Sequence, residues 1–181
     1  MAKWSDGKDT AMDNPAHELS DVFTPGGQLD PEQFDATTLA ALKQAVRYAR
    51  RTHWESVRSP HVFMGLLAAP DAAIRSWGEC LGADLPRLLE QFEELFHQNA
   101  ALSDLRLDLN REFLSDNVIR LLREARRRAL EQGRAVRPVD LLISLFTTPN
   151  SIVAECFERI NVTAERLTEL AMEAERKVGQ A

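Results

Sequence analysis

The chain has 181 residues, with 22 Lys and Arg against 28 Asp and Glu, two Cys, and a formal net charge of −6. That length suits one domain or two small ones with a real buried core. The acidic balance argues against a general nucleic-acid binder, which needs a basic face to displace counterions from phosphates, and two cysteines cannot form a disulfide framework.

Residues 1–33 differ from the rest. Asp6, Asp9, Asp13, Glu18, Asp21, Asp30 and Glu32 stand against only Lys3 and Lys8, so most of the net charge lies here. Pro15, Pro25, Gly26, Gly27 and Pro31 interrupt any helix. The segment reads as a mostly flexible acidic arm whose few apolar residues (Leu19, Val22, Phe23, Leu29) have the means to dock on the body.

From Phe34 onward the pattern is helical. Leu39, Leu42, Ala45, Val46 and Ala49 recur at three- and four-residue steps, one face of a first helix. Arg47, Arg50 and Arg51 lie on its other sides and towards its end, where cations complement the helix dipole. Ser59 reads as the N-cap of a second helix with Pro60 in its first turn. Val62, Phe63, Leu66 and Leu67 make that helix apolar on most sides, hence buried. Asp71 caps a third helix that runs to Leu81 and ends at Gly82, and Asp84 caps a fourth holding Leu85, Leu88, Leu89, Phe92 and Phe96. No stretch alternates well enough for a strand. The fold class is all-α.

An internal repeat organises the whole. At a shift of 79, His61 to Leu67 fall on Asp140 to Phe146, Pro70-Asp71 on Pro149-Asn150, Ile74 on Val153, Leu81-Gly82-Ala83-Asp84 on Ile160-Asn161-Val162-Thr163, and Leu88 on Leu167. The first helix needs a shift of 80, with Leu39 on Ile119, Leu42 on Leu122, Ala45 on Ala125 and Ala49 on Ala129. The odd residue belongs in the loop from Thr52 to Ser59. The spacing predicts repeat one over 34–97, a spacer over 98–112 and repeat two over 113–177. Four helices in each unit pack about a pseudo-twofold axis, because one amphipathic unit alone leaves apolar surface in water.

These elements, in this order and doubled, resemble the Clp N-terminal repeat, which stands twice at the front of Clp AAA+ unfoldases. The residues that carry the resemblance are the spaced alanines of the first helix, Ser59-Pro60-His61-Val62-Phe63-Met64-Gly65-Leu66 and Leu81-Gly82-Ala83-Asp84. Their counterparts are Pro138-Val139-Asp140-Leu141-Leu142-Ile143-Ser144-Leu145 and Ile160-Asn161-Val162-Thr163. The likeness spans residues 34 to about 175. It implies an eight-helix double repeat that binds substrate or adaptor polypeptides for an AAA+ Clp ring, in cis or in trans, in protein quality control and proteolysis. The family's T-E-H turn has Pro60 and Val139 in place of its acidic residue. The carboxylate pair with which some members grip a phosphorylated arginine is therefore missing here. The stretch Arg51-Thr52-His53-Trp54-Glu55 is similar to N-domains of the ATPase that disassembles the type VI secretion sheath, so a sheath helix is an alternative ligand. A free-standing scaffold that regulates a Clp machine is another.

Catalytic chemistry is not expected. None of the eight glycines lies in a phosphate-binding G-x-x-x-x-G-K-[ST], and no G-x-S-x-G turn occurs. His17, His53, His61 and His97 show no ligand spacing, so neither a metal nor another cofactor is expected. His61 reads as a hydrogen-bonded structural residue, Cys80 and Cys156 as buried inert thiols, and Trp77 as core. The arginines Arg120, Arg123, Arg126, Arg127, Arg128, Arg134 and Arg137 read as a solvated face paired with Glu124 and Glu131; without interleaved aromatics, nucleic acid is not an expected partner. No apolar run spans a bilayer and no apolar stretch follows Met1–Asp6, so a cytoplasmic location and no membrane partner are expected.

The resemblance places ligands at the seam near the starts of each repeat's first helix. Phe34 and Phe113 stand there, followed by Leu39 and Ile119, with Trp54 in the neighbouring loop. These five are the candidate walls of a peptide-binding groove, with Arg50, Arg123 and Arg127 as its charged rim.

Overall fold

A computed structural model describes residues 21–100 and 106–180. Eight helices follow one another: α1 (Ala36–Arg51), α2 (Ser59–Ala68), α3 (Ala72–Leu81), α4 (Leu85–Leu95), α5 (Asp116–Glu131), α6 (Pro138–Thr147), α7 (Ile152–Glu158) and α8 (Ala164–Gly179). Among the described residues, extended pairing is limited to isolated bridges, and no helix is long and apolar enough to cross a membrane.

The helix boundaries follow local chemistry. Asp35 and Ser115 cap α1 and α5 by accepting from Thr38 N–H and Val118 N–H. Asp71 and Asp84 do the same for α3 and α4. Gly82 closes α3 at φ 71°, and Asn161 repeats that left-handed turn at φ 63° in the second unit. One boundary departs from expectation. The N-cap of α2 is Arg58, not Ser59, and its N–H donates to His61 Nδ1 at 2.9 Å. Arg137 N–H donates to Asp140 Oδ2 at 2.8 Å at the start of α6. A side chain at the third helical position thus reaches back to the cap in both units.

The two units clasp each other reciprocally. Asp35 N–H donates to Val136 O and Val136 N–H to Gln33 O, while Ser115 N–H donates to Val57 O and Val57 N–H to Phe113 O. Each unit therefore lends the strand-like entry to its first helix to the loop after the other's first helix, as an isologous two-fold contact requires. These pairs also locate the odd residue. His53 (φ 63°) matches Gly133 (φ 65°) at a shift of 80, whereas Val57 matches Val136 at 79. Trp54-Glu55-Ser56 in the first unit stands where the second has Arg134-Ala135.

α2 and α6 form the centre, buried on nearly every side. α1 packs on α2, α5 on α6, α4 on α2, and α8 on both α3 and α6. Phe63 of α2, Trp77 of α3, Phe92 of α4, Phe146 of α6 and Phe157 of α7 make one aromatic cluster across the units, with ring centroids 4.8–6.4 Å apart. Trp77 Nε1–H donates to Leu167 O at 3.3 Å, which ties α8 to α3.

The arm expected over residues 1–33 needs a correction in its last part. Val22, Phe23 and Leu29 are buried in the core, and Leu29 N–H donates to Leu109 O. Burying three apolar side chains offsets the entropy of ordering this short stretch. Leu19 and the rest of the expected arm lie outside the described residues. Within the expected spacer, Leu107 is buried as well.

Candidate functional site

The structure separates the proposed groove residues. Phe34 is 4% exposed and Ile119 8%, so both are core side chains rather than walls of an open groove. At the shift of 80, Phe34 matches Leu114, also buried, and Phe113 matches Gln33. Phe34 pairs with Val136, beyond the end of α5, while Phe113 precedes α5. The two phenylalanines thus sit at opposite ends of a 16-residue helix, about 24 Å in axial rise. Leu39 lies on α1 at the Phe34 end, half-buried against the core.

Phe113 and Trp54 lie on two segments that the structure joins, since the Val57–Phe113 and Val57–Ser115 bonds bring the stretch before α5 against the α1–α2 loop. This loop forms a corner with the end of α4, where Gln98 N–H donates to Thr52 O at 2.9 Å. Trp54 is half-buried. Its Nε1–H donates to Phe96 O at 2.6 Å, its ring meets His61 edge-on at 5.7 Å, and the Arg58 guanidinium lies 4.8 Å from its centroid. His53 stacks obliquely on His97 at 4.8 Å, and its buried Nδ1 has no hydrogen-bond partner. Along the outer face of α4, Glu90, Glu93, Glu94 and His97 line an open cleft of about 440 Å³. Arg51 of α1 pairs with Glu93 at 2.8 Å on its border. An aromatic face beside clustered carboxylates suits an apolar side chain flanked by a cation. Arg58, Phe96 and the α4 carboxylates carry no sequence signature of their own, since only tertiary packing brings them to Trp54.

His61 is structural, as expected. Thr52 Oγ1 lies 3.1 Å from its Nε2, Arg58 N–H occupies Nδ1, and burial first, then the Arg58 charge, holds the imidazole down to about 4. Its counterpart Asp140 is wholly buried and takes both terminal nitrogens of Arg134, at 2.6 and 3.1 Å. Glu175 bridges Arg134 and Arg128 beside it.

The rim arginines are engaged elsewhere. Arg50 donates to Leu107 O. Arg127 pairs with Glu124 and Glu131 on the surface of α5, the pairing the sequence suggests, and Arg123 pairs with Asp21. Cys80 and Cys156 are half-buried rather than buried. Burial pushes the Cys156 thiol up, away from thiolate. His17 lies outside the described residues, and among those described no group of three or more His, Cys, Asp or Glu is placed to hold a metal ion.

No family model matches the sequence, and no curated protein does. Solved structures do. The N-terminal domain of the caseinolytic protease associated chaperone ClpD from Arabidopsis thaliana is similar over 83% of this chain and 99% of that one, at 16% identity and a TM-score of 0.61. The N-terminal domain of the ClpV1 ATPase from the E. coli EAEC Sci1 T6SS is similar over 80% of this chain and 86% of that one, at 18% identity and a TM-score of 0.58. A chain in a structure named "Peptide from EAEC T6SS Sci1 SciI protein" is similar over 80% and 90%, at 16% identity and a TM-score of 0.60. Over most of its length, the chain has the fold of a Clp N-terminal domain.

Proposed function

We propose that this chain is a non-catalytic recognition domain that binds a substrate or adaptor polypeptide for an AAA+ Clp ring, in cis or in trans. The observation that supports it most is the likeness to the ClpD N-terminal domain across nearly all of that domain. The corner formed by Trp54, Arg58, Phe113 and the cleft on α4 is the proposed ligand seat, in place of a groove running from Phe34 to Ile119. Trp54 and Phe113 offer aromatic surface at low conformational cost. Glu90, Glu93 and Glu94 orient a segment that carries a basic residue beside its apolar anchor.

A second reading has its own support. The Arg51–Glu55 stretch is similar to sheath-disassembling ATPases in sequence, and a ClpV1 N-terminal domain is among the similar structures. On that reading the ligand is a helix of a sheath subunit. Titrating the chain with a labelled unfolded model polypeptide and with a sheath-subunit peptide separates the two. Binding to the first supports the Clp-delivery reading, and binding to the second alone supports the sheath reading. Binding to neither rejects both.

A further inference from the structure

The exposed face at the start of α5 carries guanidinium groups and one seated carboxylate. Arg123 forms a two-pronged clamp on Asp21, Nε to Oδ1 at 3.0 Å and Nη2 to Oδ2 at 2.8 Å. The carboxylate is fixed from behind by Val22 N–H at 2.8 Å. The Arg123 hydrogen bond leads, with the Arg111 charge adding to it, in holding Asp21 below the usual carboxylate range. Arg120 stands one turn before Arg123 on the same helix, exposed, and neither it nor Arg111 forms an ion pair among the described residues. Glu112 and Asp116, the carboxylates at that end, form none with these arginines. Arg123 and Arg111 thus act on one exposed carboxylate, and Arg120 extends the same face of α5 one turn away.

We infer that Arg111, Arg120 and Arg123 form a docking surface for an acidic polypeptide segment, and that Asp21 is an internal stand-in occupying its central fork. The geometry is that of planar, bidentate carboxylate recognition, for which arginine is suited and lysine is not. An exposed pair of this kind is weak and screened by salt. A segment with several carboxylates therefore displaces Asp21 by engaging at once Arg111 and Arg120, which form no ion pair among the described residues. The surface runs from Arg111, in the turn that also carries Phe113, onto the exposed side of α5. It uses guanidiniums rather than the aromatic faces and α4 carboxylates of the proposed peptide seat, and the inference does not rest on that seat.

The test uses the full chain and a fluorescein-labelled deca-glutamate peptide, read by anisotropy in low and physiological salt. Asp21→Asn frees the fork and removes a repelling charge, so it binds the peptide about fivefold more tightly than wild type. Adding Arg123→Ala to that variant loses the gain, whereas adding Arg123→Lys recovers only part of it. Circular dichroism and melting remain as in wild type for these surface changes. Equal affinity in wild type and Asp21→Asn, or in Asp21→Asn with and without Arg123→Ala, overturns the inference. So does a DNA oligonucleotide of equal charge that binds as tightly with the same dependence on Arg123, since the surface then reads charge alone.

Discussion

At the third position of α2 and of α6 a buried side chain accepts the N–H of the residue before the helix. His61 does this as a neutral imidazole and Asp140 with a carboxyl oxygen, its side chain paired with Arg134. The consequences for pH follow. An unfolded histidine takes up a proton near 6.5, but the folded His61 resists until about 4. Its stabilising effect is therefore complete above 6.5 and is lost as pH falls from 6.5 to 4. That span amounts to about 3 kcal/mol. His61→Gln keeps a capping acceptor without the titration, so its unfolding free energy in urea flattens over that window relative to wild type. At the other cap, Asp140→Ala removes the acceptor that caps α6 and one of the two carboxylates that hold Arg134, Glu175 remaining, and costs about 1–3 kcal/mol. Asp140→Asn, which keeps a capping oxygen, costs less. Chemical denaturation of the two variants checks this. That His61 is a hydrogen-bonded structural residue was legible in the sequence; that it accepts from the Arg58 cap was not, since Ser59 reads as the cap there. The network around Asp140 was not, because Glu175 reaches it from α8, far along the chain.

Among the elements, α1 and α2 cross closely. A Cβ on Gly65 would lie 2.2 Å from Ala41 O and 2.9 Å from Ala45 N. Gly65→Ala therefore pushes α1 off α2 and costs about 1–3 kcal/mol, measurable as a lower urea midpoint with the fold retained. Ser144 holds the matching place in α6, where the crossing leaves room for a side chain. The spaced alanines that mark α1 in the sequence are what permit the close approach. Asp71, Gly82 and Asp84 gave the boundaries of α3 and α4 correctly, since caps and left-handed turns depend on one or two residues. The start of α7 was less plain. Asn150 aligns with the Asp71 cap, but Ser151 is the N-cap of α7, and Asn150 takes φ 58° before it. Pattern matching at a fixed shift cannot see a turn that absorbs one extra residue.

For the whole molecule, reciprocity is the organising fact. The exchanges between Val57 and Phe113–Ser115 and between Val136 and Gln33–Asp35 make each unit complete the other's surface. The doubling itself was readable from apolar positions alone. What that doubling brings together was not. Phe34 and Phe113, alike as letters near helix starts, belong to different repeat positions and to opposite ends of α5. Trp54 gained its neighbours because three distant segments meet at its loop. Asp21, assigned by composition to the arm, lies against α5 because the apolar residues after it are buried.

The proposed recognition role stands on that corner. The decisive measurement is the affinity of the chain for a labelled unfolded polypeptide carrying aromatic and basic residues, compared with the Trp54→Ala/Phe113→Ala double variant, with melting followed in parallel. Loss of two half-buried aromatic contacts is expected to weaken capture by about tenfold or more while the helical signal persists. Equal affinity in a folded double variant would contradict the assignment of this corner as the ligand seat.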